Sequence, residues 1–305
     1  QGIIDLSALS FTENETYGLD GEWKFYPYHF IDPESTNDTA PYTYLSVPNS
    51  WEEAIDNGNE EHPAYGYGSY RLKVLLPNNI DIPFGLRFQN VNTGAVIFVN
   101  GEKVAEHGLL KTSPYPNQSR QGPSSGFFKT EDQELDIIVH VTNYDVPFLG
   151  GIVRQIKIGH EQAILKENER SSFLQLTVFI LYLLHSLYAI SLFLMARKKQ
   201  RHKELLYYGL MLIVAGFVVL IDDDIVLQLP ISIEWYYKWL NILFLCLFML
   251  LLYTVKHLFN IETSYFKWIR RLFILIIGIT LVIPFEHFMM LSIADILLYA
   301  LSFYY

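Results

Sequence analysis

Cysteine is almost absent. Cys246 is the only one, so no disulfide can form within the chain and no Cys-x-x-Cys redox or zinc motif is available. An outward-facing domain without disulfides points to a bacterium rather than to a secreted animal receptor. The sequence also lacks a P-loop, a Gly-x-Ser-x-Gly elbow and any group at metal-ligand spacing, so neither a cofactor nor a metal is expected. His29, His62, His107, His140 and His160 are scattered, and the neighbouring acids Glu52-Glu53, Glu60-Glu61 and Glu131–Glu134 read as a solvated surface. Basic charge is scarce in the first half. Residues 1–170 hold 24 Asp+Glu and 12 Lys+Arg, a net of −12, whereas residues 171–305 hold 8 and 10. An acidic surface repels phosphates, which excludes nucleic acid as a partner. Two such different halves face two solvents rather than forming two similar domains.

The second half lacks charge over long stretches. Phe173–Ala196 contains no Lys, Arg, Asp or Glu. As a helix it spans about 36 Å, enough for the roughly 30 Å hydrocarbon layer of a bilayer, so lipid is an expected partner. The basic run Arg197–Lys203 follows at once and, by the positive-inside rule, lies in the cytoplasm with everything before residue 173 outside. Further spans are expected at about 205–225, 236–255 and 272–290, with a fifth beginning at 291–305. The loops at 197–203 and 256–271 carry nine of the ten Lys and Arg after residue 171. Asp222, Asp223 and Asp224 belong at the outer surface and are candidates for a signal relay. The first membrane-spanning helix carries one ionisable group, His185, apart from its tyrosines; a neutral packing role and a signal-relay role are both open, and Glu286 is a further relay candidate. An export leader before Gln1 and a continuation after Tyr305 are expected.

Residues 1–160 read as short strands divided by turns: Glu22–Tyr26, Tyr44–Val47, Ser69–Leu76, Phe84–Asn90, Ala95–Val99, Leu135–Val141 and Ile152–Ile158. Tyr70, Leu72 and Val74 fall on one face of their strand, Arg71 and Lys73 on the other. Asn100-Gly101 is the strongest hairpin signal. The expected fold is an all-β jelly-roll sandwich, joined by a polar coupling segment at 161–172 to a helical membrane bundle at 173–305. Trp23 and Phe25 suit the core, Pro48 and Trp51 a rigid corner, and Gly150-Gly151 a close approach.

The loops concentrate aromatic and amide side chains, which stack on sugar rings and supply directed hydrogen bonds. The candidate ligand contacts are Trp51, Tyr65, Tyr67, Arg71, Asn92, His107, Tyr115, Asn143 and Tyr144. Plugging the ends of the sandwich is the competing role for each.

The ordered motifs Leu19-Asp-Gly-Glu-Trp-Lys-Phe25, Val47-Pro-Asn-Ser-Trp51, Gly66-Tyr-Gly-Ser-Tyr-Arg71, Phe98-Val-Asn-Gly101, His140-Val-Thr-Asn-Tyr144 and Gly150-Gly151 carry a family resemblance. Over residues 17–160 and into the membrane part, the chain resembles bacterial seven-transmembrane receptors with diverse intracellular signalling modules. Their outer domain is similar to the sugar-binding, galactose-binding-like jelly roll of beta-galactosidase-type enzymes, where it is ancillary to a separate catalytic barrel. The resemblance implies a small outer ligand, carbohydrate above all, a plasma-membrane location and no catalysis by these residues. It also implies a cytoplasmic histidine kinase, nucleotide cyclase or phosphatase, with a homodimer if the output is a kinase or cyclase. A transporter or export component with a binding ectodomain and a membrane-anchored carbohydrate-active enzyme are the alternatives.

Overall fold

The computed structural model describes residues 1–35, 39–55, 58, 63–78, 81–88, 91–113, 124–147, 149–198, 202–222, 232–260 and 265–284, with Asn92 and Asp222 described by backbone alone. The chain divides into two compact units, Gln1–Arg170 and Ser171–Tyr305.

The first unit is a sandwich-like pair of sheets with a small third. Its strands are β1 (Ile3–Asp5), β2 (Thr16–Gly18), β3 (Gly21–Pro27), β4 (Thr43–Val47), β5 (Gly66–Leu75), β6 (Pro83–Phe88), β7 (Val91–Asn92), β8 (Gly94–Val99), β9 (Glu102–His107), β10 (Ser124–Lys129), β11 (Glu134–Asn143), β12 (Gly151–Ile152) and β13 (Ile156–His160). The larger sheet runs β4-β3-β5-β11-β8-β9, with β1 parallel to the end of β5. The smaller runs β10-β6-β13-β2, and β12 pairs with β7. The two sheets share one core: Trp23, Phe25, Tyr70, Leu72, Ile137 and Val139 from the larger pack with Phe84, Leu86, Ile156 and Ile158 from the smaller. Each such side chain removed from water contributes about 1.5–3 kcal/mol.

Side-chain alternation sets the register. In β5, Tyr70, Leu72 and Val74 are buried in the core, while Lys73 on the opposite face is exposed. The hairpin between β8 and β9 turns at Asn100 and Gly101, both at positive φ (48° and 87°), as a tight turn of this kind requires. The stretch expected as one strand at 152–158 is two. β12 pairs with β7 and β13 enters the smaller sheet. A chain that changes sheets must break its ladder, and since Ile152, Ile156 and Ile158 all stay buried, their alternation is blind to the break.

The outer face of the larger sheet is covered by the segment after β3. Ser69 Oγ donates to His29 O and accepts from Ile31 N (2.7 and 3.1 Å). His140 Nε2 meets Ile31 O at 2.9 Å, and Arg71 donates to Ser35 O.

Helix α1 (Glu161–Met195) starts inside the first unit. His160 Nδ1 accepts the Gln162 N–H, satisfying one of the open donors of the first turn. Ala163 and Ile164 are buried, and Ile164 sits against Gly85, where a Cβ would come within 2.9 Å of it. Around this contact Arg87 Nε donates to Asn168 Oδ1 (2.6 Å), Thr16 Oγ1 to Glu167 Oε2 (2.7 Å) and Asn168 Nδ2 to Ser125 Oγ (3.1 Å). Lys157 pairs with Glu167, and Lys166 Nζ donates to Asn14 Oδ1 (2.9 Å).

The second unit holds the rest of α1, α2 (Lys203–Asp222), α3 (Ile233–Leu258) and α4 (Tyr265–Val282). Among the described residues three helices are long and apolar enough to cross a membrane: Glu161–Met195, Lys203–Ile221 and Ile233–Leu258. Helix α4 starts with Lys267, Arg270 and Arg271, and the expected fourth span is described only to residue 284. The expected fifth lies outside the described residues. Gly209 and Gly216 face α1, where a Cβ would come within 2.7 Å of Ile190 and 3.0 Å of Phe179. Small residues bring membrane helices together in this way.

Candidate functional site

Strand order brings one end of the larger sheet together: the start of β5, the end of β11, the start of β8 and the end of β3. Tyrosines gather there. Tyr65 meets Tyr144 edge-on (6.1 Å), Tyr67 meets Tyr28 edge-on (5.8 Å), and Phe30 packs on Tyr67 (4.9 Å). Tyr144 donates to Thr112 O at 3.0 Å. Burial, with the nearby phenols of Tyr67 and Tyr28, holds the Tyr144 hydroxyl above the usual tyrosine range, so it stays a donor at neutral pH.

Beside this cluster lies a polar one. Thr93 Oγ1 donates to Asp145 Oδ2 (3.0 Å), and Lys111 Nζ stands 4.0 Å from the same oxygen. The side chains of Lys111 and Asp145 are both 7% exposed. Thr142 Oγ1 donates to Lys111 O (2.7 Å), and the backbone of Leu109 lies against Gly94 so closely that any Cβ there would collide with it. Segment 109–113 is thereby held on the sheet end next to Tyr144. Lys111 Nζ is buried and donates no hydrogen bond.

Of the residues singled out from sequence, Tyr65, Tyr67 and Tyr144 converge. Asn92 takes its place in β7 opposite Gly151, and His107 closes β9 opposite Ala95 at the same end of the sheet. Three expectations need correction. Trp51 is fully buried, stacked on Tyr70 with its indole N–H donating to Ala64 O (3.0 Å); it is a core plug, because Gly150 and Gly151 leave room for the ring and nothing else. Asn143 is also fully buried. Its amide donates to Ala64 O (2.9 Å) and Val146 O (2.7 Å), and its oxygen accepts the Val146 N–H (3.0 Å), so it shapes the chain reversal after β11. Arg71 lies beneath the covering segment in a two-point ion pair with Asp136 (2.6 and 2.9 Å), which raises its pKa further. Tyr115, Asp223, Asp224 and Glu286 lie outside the described residues, and Asp222 closes α2. His185 sits on an exposed face of α1, its Nδ1 bonded to Leu181 O (2.8 Å).

Tyr28, Phe30, Thr93, Lys111 and Asp145 were not singled out. Only Asp145 carried a signal, as the neighbour of Asn143-Tyr144; Lys111 follows two leucines in a loop with no periodicity.

Among the described residues no group of His, Cys, Asp and Glu could hold a metal ion. No family model matches the chain, and no curated protein does. Solved structures do resemble its first half. A GH2 beta-galacturonidase from Eisenbergiella tayi bound to galacturonate is 19% identical over 50% of this chain and 25% of its own, with a TM-score of 0.35. A calcium-binding mutant of Bacteroides uniformis beta-glucuronidase 2 is 24% identical over 47% and 18%, with a TM-score of 0.37. A Ruminococcus gnavus beta-glucuronidase is 18% identical over 49% and 30%, with a TM-score of 0.34. The chain therefore spans a third or less of the length of these structures.

Proposed function

We propose that residues 1–170 form a carbohydrate-recognition domain of jelly-roll type, carried outside a bacterial plasma membrane, and that the protein is a sensory receptor whose first membrane helix carries the signal. The observation that supports transmission is the seam on α1. A helix long and apolar enough to span the bilayer begins among the strands of the recognition domain, fixed there by Ile164 and by Arg87, Lys157 and Thr16. A ligand that favours one arrangement of the sheet end over another changes what that helix is anchored to, and it does so only through unequal affinity for the two arrangements. The tyrosine cluster supports the ligand class, since phenol rings stack on the C–H faces of sugars and donate to their hydroxyls. The output would be a cytoplasmic kinase, cyclase or phosphatase, as the family resemblance implies.

A membrane-anchored carbohydrate-active enzyme would need two carboxylates converging on one bond. Among the described residues, Asp136, Asp145 and Glu167 each face a cation, whereas half-buried Glu52 accepts from Ser50 Oγ (2.8 Å). The test is a glycan panel against the full chain in lipid nanodiscs, read by thermal shift and by release of reducing sugar. The receptor reading expects a shift without release. Release would convert it to the enzyme, and a shift with another ligand class but no sugar would sink the carbohydrate assignment.

A further inference from the structure

Resting on the carbohydrate reading, we infer that Lys111 and Asp145 are the polar recognition pair of the rim and that they select an uncharged sugar through one of its hydroxyls. Lys111 has three protons to donate and donates none in its enclosed position. A buried polar group left so costs free energy and marks a place where something completes it. The 4.0 Å from Nζ to Asp145 Oδ2 is too long for a hydrogen bond. It is the gap that one hydroxyl oxygen closes, accepting from the ammonium and donating to the carboxylate at about 2.8 Å from each. Thr93 already donates to that oxygen and fixes its direction.

Charge decides the ligand class. Lys111 and Asp145 compensate one another in a buried setting, so a neutral hydroxyl enters without adding a charge. An anionic sugar would set its carboxylate against Asp145. Aromatic contact comes from Tyr144, one residue from Asp145, with Tyr65 edge-on to it. Entry requires segment 109–113 to part from the sheet, which means releasing two hydrogen bonds, Thr142 Oγ1 to Lys111 O and Tyr144 Oη to Thr112 O.

The test is calorimetric titration of the full chain in nanodiscs with glucose, galactose, mannose and xylose, and with glucuronate and galacturonate. At least one neutral sugar binds, and its uronate binds about tenfold more weakly or worse. Lys111→Met and Asp145→Asn each lower affinity for the neutral sugar by about 10- to 100-fold. Because a single change leaves one charge buried alone, the Lys111→Met/Asp145→Leu double variant is included; replacing a buried ion pair by apolar groups is often neutral for folding. Sugar binding by the folded double variant within twofold of the native chain would overturn the pair's role while leaving the carbohydrate reading intact. A uronate that binds as tightly as its neutral parent would overturn the ligand class. Failure of the native chain itself to bind any sugar would remove the carbohydrate reading and the pair with it.

Discussion

At the scale of single residues, the sheet end is held by side chains that look like ligand contacts until their partners are known. Asn143 satisfies three backbone groups of the 64 and 146 segments at once. Asn143→Ala should therefore lower stability by about 2–4 kcal/mol in a denaturant titration; unchanged stability would restore a ligand role. His140 gives a pH signature. Burial lowers its pKa below the usual 6.5, opposed by its hydrogen bond to Ile31 O. The folded state resists a proton that the unfolded chain accepts, so this stability is complete above about pH 6.5 and is lost as pH falls from there toward the lower folded value. Melting temperature should drop between pH 7 and 5, and the drop should shrink in His140→Gln. An equal drop in the variant would assign the effect elsewhere. Three of the tyrosines singled out from sequence, Tyr65, Tyr67 and Tyr144, gather at one sheet end because they stand at or next to the ends of paired strands. Sequence misjudged Trp51 and Asn143 because burial of an aromatic or amide side chain depends on which glycines and carbonyls the fold brings to it, here Gly150, Gly151 and Ala64.

At the scale of elements, alternation made the long strands legible, and β5 and β11 pair over their full ten residues. Strands β1 and β2, three residues each, are too short to show a period. The start of α1 was harder still. The segment reads from sequence only as a polar coupling stretch, and the partners of its Lys166, Glu167 and Asn168, namely Asn14, Thr16, Arg87 and Ser125, are 43 to 152 residues away. Pairing of polar groups over such separations leaves no periodic trace in a sequence. The seam can be broken by design. Ile164→Ala should destabilise the first unit by about 2–5 kcal/mol. Arg87→Met should raise hydrogen exchange at the amides of residues 162–170 while leaving β11 protected. Exchange unchanged in that variant would show that the apolar contact alone holds the helix.

At the scale of the whole molecule, the proposed orientation rests on the charge distribution. In a Cys246→Ser background, Glu102→Cys should react with a membrane-impermeant maleimide on intact cells, and Lys198→Cys only after permeabilisation. The reverse pattern would invert the topology and with it the outer placement of the rim.

The position of β13 reaches beyond the finished fold. It lies inside the smaller sheet, between β6 and β2, and the next residue begins α1. A chain secreted from its N-terminus delivers β2 and β6 long before the strand that joins them. On the proposed outer placement, the smaller sheet is therefore completed only when translocation is about to stop at the first long apolar helix. Until then β6 has β10 at one edge but lacks β13 at the other, so export and completion of the smaller sheet run in series and stop-transfer sets the moment of closure. A chain ending at Gln155 should accumulate as aggregate, and one ending at Arg170 should fold; soluble, cooperatively melting material from the shorter chain would show that closure does not wait for β13.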